Sequence, residues 1–200
     1  ISRNYFNNTK TGIWLYKSTT NDIAKNNIFN STEFGVLIDS STENNRLYGN
    51  IIDNSSETGI KIKDSYNTNF TNNSISNCGN YGIHSLNNYQ TNISKNTIYN
   101  CTSAGIYLSS SKDIIQHNIL ELNTKGIWLI GDNNFIYNNT IIKSYGSGIY
   151  SQSSSNENDI IMNKFRANSK SAIENGDNNW YIEKTGNYWS DYTYVDFEPI

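Results

Sequence analysis

Apolar and polar residues alternate along this chain over short runs, the period of a β-strand with one buried face. The runs recur. A Gly-Ile-like pair stands at Gly12-Ile13, Gly35-Val36, Gly59-Ile60, Gly82-Ile83, Gly105-Ile106, Gly126-Ile127, Gly148-Ile149 and Ala172-Ile173, at steps of 23, 24, 23, 23, 21, 22 and 24 residues. A second marker, an Asn with a large apolar residue two positions on, keeps the same phase through Asn4, Asn26, Asn50, Asn73, Asn96, Asn118, Asn139, Asn163 and Asn187. Three apolar columns run through each repeat. One lies three residues before the Asn (Ile23, Leu47, Phe70, Ile93, Ile115, Ile136, Ile160), one two residues after it, and one just after the Gly. Three short strands in about 23 residues make one turn of a solenoid, and a single turn cannot bury its apolar residues unless others stack on it. The pattern predicts an all-β, single parallel β-helix of about eight coils, right-handed by the general crossover preference. Residues 1–179 form the repeats. From Trp180 aromatic residues crowd in (Trp180, Tyr181, Tyr188, Trp189, Tyr192, Tyr194, Phe197), so 180–200 is expected to be a cap over the open end of the core.

Stacking gives the asparagines a role. Asn tolerates left-handed backbone at sharp bends, and its amide can bond from coil to coil, so Asn26, Asn50, Asn73, Asn96, Asn118, Asn139 and Asn163 are expected to form a buried ladder. A shorter column, read as a further inner one, runs Asn8, Asn30, Asn54, Asn77 and Asn100. Gly at the strand entrance suits a turn needing positive φ or close packing. Composition agrees. There are 36 Asn, 25 Ser and 28 Ile against 4 Ala and 1 Pro, which disfavours helix. A net charge of −3 gives no basic excess for nucleic acid, and no apolar stretch is long enough to span a membrane as a helix. The opening residues carry no signal-peptide pattern and read like the interior of a longer repeat.

The unit Asn96-Thr97-Ile98 through Gly105-Ile106-Tyr107-Leu108 resembles the parallel β-helix repeat of the NosD-like family, part of a wider group of carbohydrate-binding proteins and sugar hydrolases. The ending Gly186-Asn187-Tyr188-Trp189-Ser190-Asp191-Tyr192 is similar to that of many archaeal surface proteins with such repeats. The resemblance covers the whole chain and implies the fold. For function it implies binding, lyase, hydrolase, epimerase or purely structural roles alike. The copper association of the NosD name would require clustered His, Cys or Met ligands. His84 and His117 fall in different columns and Met162 stands apart, so no metal or other cofactor is expected.

Strand alternation turns one column outward: Trp14, Leu37, Lys61, His84, Tyr107, Trp128 and Tyr150. An exposed aromatic row suits sugar rings, and Trp14, His84, Tyr107, Trp128 and Tyr150 are the candidate carbohydrate contacts. The same row could instead be a side-chain ladder or a contact with a neighbouring subunit or domain. For acid–base chemistry the candidates are Asp39 and Lys63, expected to share a column, with Lys61 and His84 near on the same face, and Glu33 and Glu57, expected to be neighbours on adjacent coils. Cys78 and Cys101, one coil apart, are expected to stack, either as a disulfide or as two small side chains. Eight Asn-x-Ser/Thr sites (Asn7, Asn30, Asn54, Asn69, Asn72, Asn92, Asn100, Asn138) are compatible with a surface protein. Three readings stay open. The first is an extracellular, non-catalytic module of a larger cell-surface protein, structural and meeting polysaccharide or neighbouring surface domains. The second is a polysaccharide lyase, hydrolase or epimerase. The third is a self-assembling envelope or sheath component.

Overall fold

The computed structural model describes residues 1–40 and 42–190, and among these the chain forms three parallel sheets without a helix. Sheet I has nine strands, from Tyr5–Asn7 to Tyr188–Trp189. Sheet II has eight, from Thr11–Tyr16 to Ala172–Glu174, and sheet III has eight, from Asp22–Ala24 to Asp177–Asn179. Each strand pairs with the strand one coil away, as in Ile28↔Ile52 of sheet I, Ile83↔Ile106 of sheet II and Ile93↔Ile115 of sheet III. The three apolar columns meet as one core. Ile23, Leu47, Phe70, Ile98, Ile127 and Ile136, among others, are fully shielded from solvent. Aligning the last coil brings one correction to the repeat phase. Ile149 pairs with Ala172 and Tyr150 with Ile173, so Ser171 stands where the glycine of earlier coils stood.

The asparagine column is a continuous hydrogen-bonded ladder. Asn26 Nδ2 donates to Asn50 Oδ1 at 3.0 Å, Asn50 to Asn73 at 2.9 Å, Asn73 to Asn96 at 3.0 Å and Asn96 to Asn118 at 3.1 Å. Asn118 bonds Asn139 and Asn139 bonds Asn163, both at 2.9 Å. Each Oδ1 also accepts the main-chain N–H of the Asn one coil back, and each Nδ2 reaches a sheet III carbonyl of that coil, as Asn96 Nδ2 does to Phe70 O at 3.0 Å. One side chain thereby satisfies backbone groups that a sharp bend would leave buried and unpaired. The residue before each ladder Asn adopts left-handed φ, as at Lys25, Asn72, Lys95 and His117. The column Asn8, Asn30, Asn54, Asn77 and Asn100 is also left-handed, but its side chains are exposed rather than inner. They bond one another on the outside, as Asn54 Nδ2 does to Asn30 Oδ1 at 2.7 Å.

The recurring glycine is explained by close approach, because among the described glycines only Gly49 has positive φ. A Cβ on Gly59 would stand 2.5 Å from Ile75 Cγ2 and 2.8 Å from Gly82 O, at the corner where sheet I turns into sheet II. At the other end Trp189 lies flat on core Phe165, with centroids 4.6 Å apart and planes 8° apart, and Trp180 packs beside it at 5.8 Å. Tyr192, Tyr194 and Phe197 of the expected cap lie outside the described residues.

The turn from sheet II to sheet III carries a second polar column, with one substitution of consequence. Asn21 bonds Asn45 and Asn134 bonds Asn158 along it, while the coils between hold Thr68, Thr91 and Asp113. Its Oδ1 accepts the Thr91 N–H at 2.7 Å, its own N–H donates to Asn134 Oδ1 at 2.9 Å, and the Ser110 hydroxyl donates to its Oδ2. Burial pushes the carboxyl up to about 6, against the hydrogen bonds that favour its charged form.

Two outcomes follow from these buried groups. Asn96→Ala leaves the buried Asn73 N–H without its acceptor and removes the amide bonds to Asn118 Oδ1 and the Phe70 carbonyl, and chemical denaturation should show a loss of about 3 kcal/mol; Asn100→Ala, on the exposed column, should lose under about 1 kcal/mol. Asp113 binds its proton more tightly folded than unfolded, so its contribution is complete below the ordinary carboxyl value and is lost as pH rises through about 6. Asp113→Asn should therefore be more stable than the parent at pH 7 by up to about 3 kcal/mol, with the difference vanishing near pH 4.

Candidate functional site

The outward column of sheet II lies in register: Trp14↔Leu37, Leu37↔Lys61, Lys61↔His84, His84↔Tyr107, Tyr107↔Trp128 and Trp128↔Tyr150. Four consecutive coils carry rings. His84 and Tyr107 meet edge to face at 4.7 Å, Tyr107 and Trp128 at 5.2 Å, and Trp128 and Tyr150 at 6.0 Å. These rings are half-buried and form a continuous spine. Trp14 is 59% exposed beside Tyr16, with Leu37 and Lys61 between it and the spine.

Sequence reasoning missed three residues of this face. Tyr81 lies 4.9 Å from both His84 and Tyr107, Lys125 Nζ sits 4.3 Å above the Trp128 ring, and Lys61 Nζ is 4.9 Å from the ring of Phe34. Tyr81, Lys125 and Phe34 each directly precede the repeat glycine. The corner at that glycine swings them onto the outer face, so the available signal was the glycine itself. Burial raises Tyr81 and Tyr107 above the ordinary phenol value. It also lowers His84 to about 4, with the Lys61 charge adding to the effect, so this imidazole is neutral at pH 7.

The charged candidates do not converge. Glu33 pairs with Lys10 at 3.1 Å and Lys63 with Asp64 at 3.5 Å. Glu33 and Glu57 are adjacent through their backbones, where the Glu57 N–H donates to Glu33 O at 3.1 Å. Lys61 and His84 do lie side by side. Cys78 and Cys101 stack as expected, but as buried free thiols and not as a disulfide. Each Sγ sits over the glycine of the coil behind, so that a Cβ on Gly59 would be 3.1 Å from Cys78 Sγ and one on Gly82 3.3 Å from Cys101 Sγ. The two sulfurs therefore follow one another by one coil, and the clue to an oxidising compartment goes with the bridge. Hydrogen bonding to Cys101 and burial hold the Cys78 thiol well above its ordinary value. Among the described residues no group of three His, Cys, Asp or Glu side chains is placed to hold a metal, and no helix is long and apolar enough to cross a membrane.

Sheet III carries two hollows on its outer face. One hollow of about 340 Å³ is lined by Asn67, Asn69, Gln90, Asn92, Lys112 and Ile114. A second, of about 320 Å³, is lined by Arg46, Tyr48, Asn69, Thr71 and Asn72. None of the sequence-predicted contacts is among these residues.

The family model described as "Right handed beta helix region" matches residues 1–134. The chain belongs to the right-handed β-helix family. No curated protein matches the sequence. Among solved structures, this β-helix resembles the periplasmic alginate epimerase AlgG, with TM-score 0.76 and 16% identity over 88% of this chain and 48% of that one. It also resembles the Dettilon tailspike protein (gp208), with TM-score 0.68 and 19% identity over 89% of this chain and 42% of that one. A third likeness is to DFA-IIIase from Arthrobacter chlorophenolicus A6 without its lid, with TM-score 0.69 and 10% identity over 84% and 46%. At these identities the likeness is one of fold, and the β-helix spans less than half of each of these structures.

The electrostatics of the aromatic face give one test. In an NMR titration the His84 ring should change charge near pH 4, well below an ordinary imidazole, and Lys61→Ala should move that midpoint upward. The sign for stability is opposite to that of Asp113: His84 contributes above the ordinary imidazole value, and the contribution falls away as pH drops towards 4.

Proposed function

We propose that this β-helix is a non-catalytic, polysaccharide-binding module of a larger NosD-like surface protein, working outside the cytoplasm or at the cell surface. The observation that carries the reading is the in-register row from Trp14 to Tyr150 on one face of the rod, with Lys125 beside Trp128. Six coil steps at ~4.8 Å make a strip of about 29 Å, long enough for an extended polymer rather than a single sugar. Half-exposed rings supply apolar area with little conformational entropy left to lose, and Lys125 supplies a cation for hydroxyl or acid groups. The solved structures of the same fold include an alginate epimerase, so sugar-active surfaces occur on this scaffold. Binding is favoured over turnover because Glu33 and Lys63 are engaged in ion pairs and His84 is held neutral against the aromatic rings. Trp180 and Trp189 serve as the cap over the last core ring.

A glycan array combined with reducing-sugar and unsaturated-product assays tests this reading. Binding that falls about fivefold in Trp14→Ala or Trp128→Ala, without turnover, is the expected result, since one ring contact is worth about 1 kcal/mol. Turnover abolished by Asp39→Asn would replace it with the enzyme reading. Self-association without glycan binding would replace it with the assembly reading.

A further inference from the structure

We propose a second oligosaccharide site, in the trough on the outer face of sheet III. The trough is a consequence of residue size across four coils. Register places Arg46 beside Asn69, Asn69 beside Asn92 and Asn92 beside Ile114, with Tyr48 beside Thr71 and Thr71 beside Ser94. Short side chains at Asn69, Thr71, Asn92 and Ser94 form the floor. The larger Arg46 and Tyr48 close one end, and Ile114 and Gln116 close the other. The two hollows share Asn69 and so read as one channel about three coil steps, ~14 Å, long. That length fits a short stretch of linked sugars and exceeds a single ring.

The lining selects for hydroxyl groups. An amide offers both a donor and an acceptor, the combination that vicinal hydroxyls require. Asn69, Asn72 and Gln90 make no side-chain hydrogen bond to any described residue, so their bonding capacity faces the trough or solvent. Tyr48, 36% exposed, adds a ring at one end. The charges are mostly spent: Arg46 makes a bidentate pair with Asp22 at 2.7 and 2.8 Å. Lys112 Nζ bonds the Tyr89 hydroxyl at 3.1 Å and has no carboxylate partner among the described residues, leaving one cation at the far end for a ring hydroxyl or an acid group. The ligand class is a chain of polyhydroxylated rings, neutral or uronate. The site rests on sheet III alone and stands whether or not the aromatic face binds.

The test uses the whole chain, labelled with ¹⁵N and titrated with a panel of neutral and uronate hexasaccharides. Saturable shifts of the Asn69, Asn72 and Gln90 side-chain amides are expected, at least tenfold weaker in affinity in Asn69→Leu and unchanged in Trp14→Ala. Asn92→Leu, one coil on, repeats the test if Asn69→Leu does not fold. A stronger response to uronates that Lys112→Gln removes identifies the acidic source of the same chemistry, and an equal response identifies the neutral one; both support the site. Shifts confined to the Trp14–Tyr150 face overturn this site and leave the aromatic-face reading intact. Trough shifts that neither leucine variant weakens, or no shifts with any panel member, overturn the proposal.

Discussion

Everything in this rod depends on one constraint: a polypeptide that turns sharply inside a core must still satisfy its buried backbone groups. The ladder asparagines meet it, each bonding forward to the next coil and back to a sheet III carbonyl. The consequence is visible in spacing. In each coil the core residue of sheet III lies three positions before the Asn and that of sheet I two after it, as Ile93 and Ile98 flank Asn96. This corner does not vary. The changing repeat length is absorbed in the turns on either side of sheet II, where no single ladder ties every coil.

Where the second polar column accepts a different residue, the energetics change sign. Asp113 keeps the acceptor role of an Asn but lacks the amide hydrogens, and its buried carboxyl holds a proton to about pH 6. His84 is disturbed in the other direction, stripped of water among rings and facing Lys61. One group favours the folded state in acid and the other above the ordinary imidazole range. Their opposite slopes partly cancel between pH 4 and 6.

The functional surfaces follow from the same stacking. A solenoid repeats each outward position at ~4.8 Å, so any side-chain chemistry placed on one coil can be extended along the rod. Sheet II uses this for rings, and sheet III for amides and hydroxyls. Both suit long, hydroxyl-rich molecules, and they differ in shape: the ring face is a ridge and the amide face a trough.

The sequence alone determined the period, and the period determined the neighbours. Stacked Ile columns, the Asn26–Asn163 ladder, the outward Trp14–Tyr150 row and the apposition of Cys78 with Cys101 all follow from counting residues. Only the tertiary structure decided orientation and relative size. Tyr107 and Trp128 meet edge to face, Cys78 and Cys101 remain thiols, Gly59 is required by Ile75 and Gly82 of neighbouring segments, and Lys63 turns to Asp64 rather than Asp39. The trough around Asn69 was hidden for the same reason: a hollow exists only by contrast with Tyr48 and Ile114 on other coils. A one-dimensional repeat states which residues share a column, while rotamers and the volumes of neighbours across coils fix what that column presents.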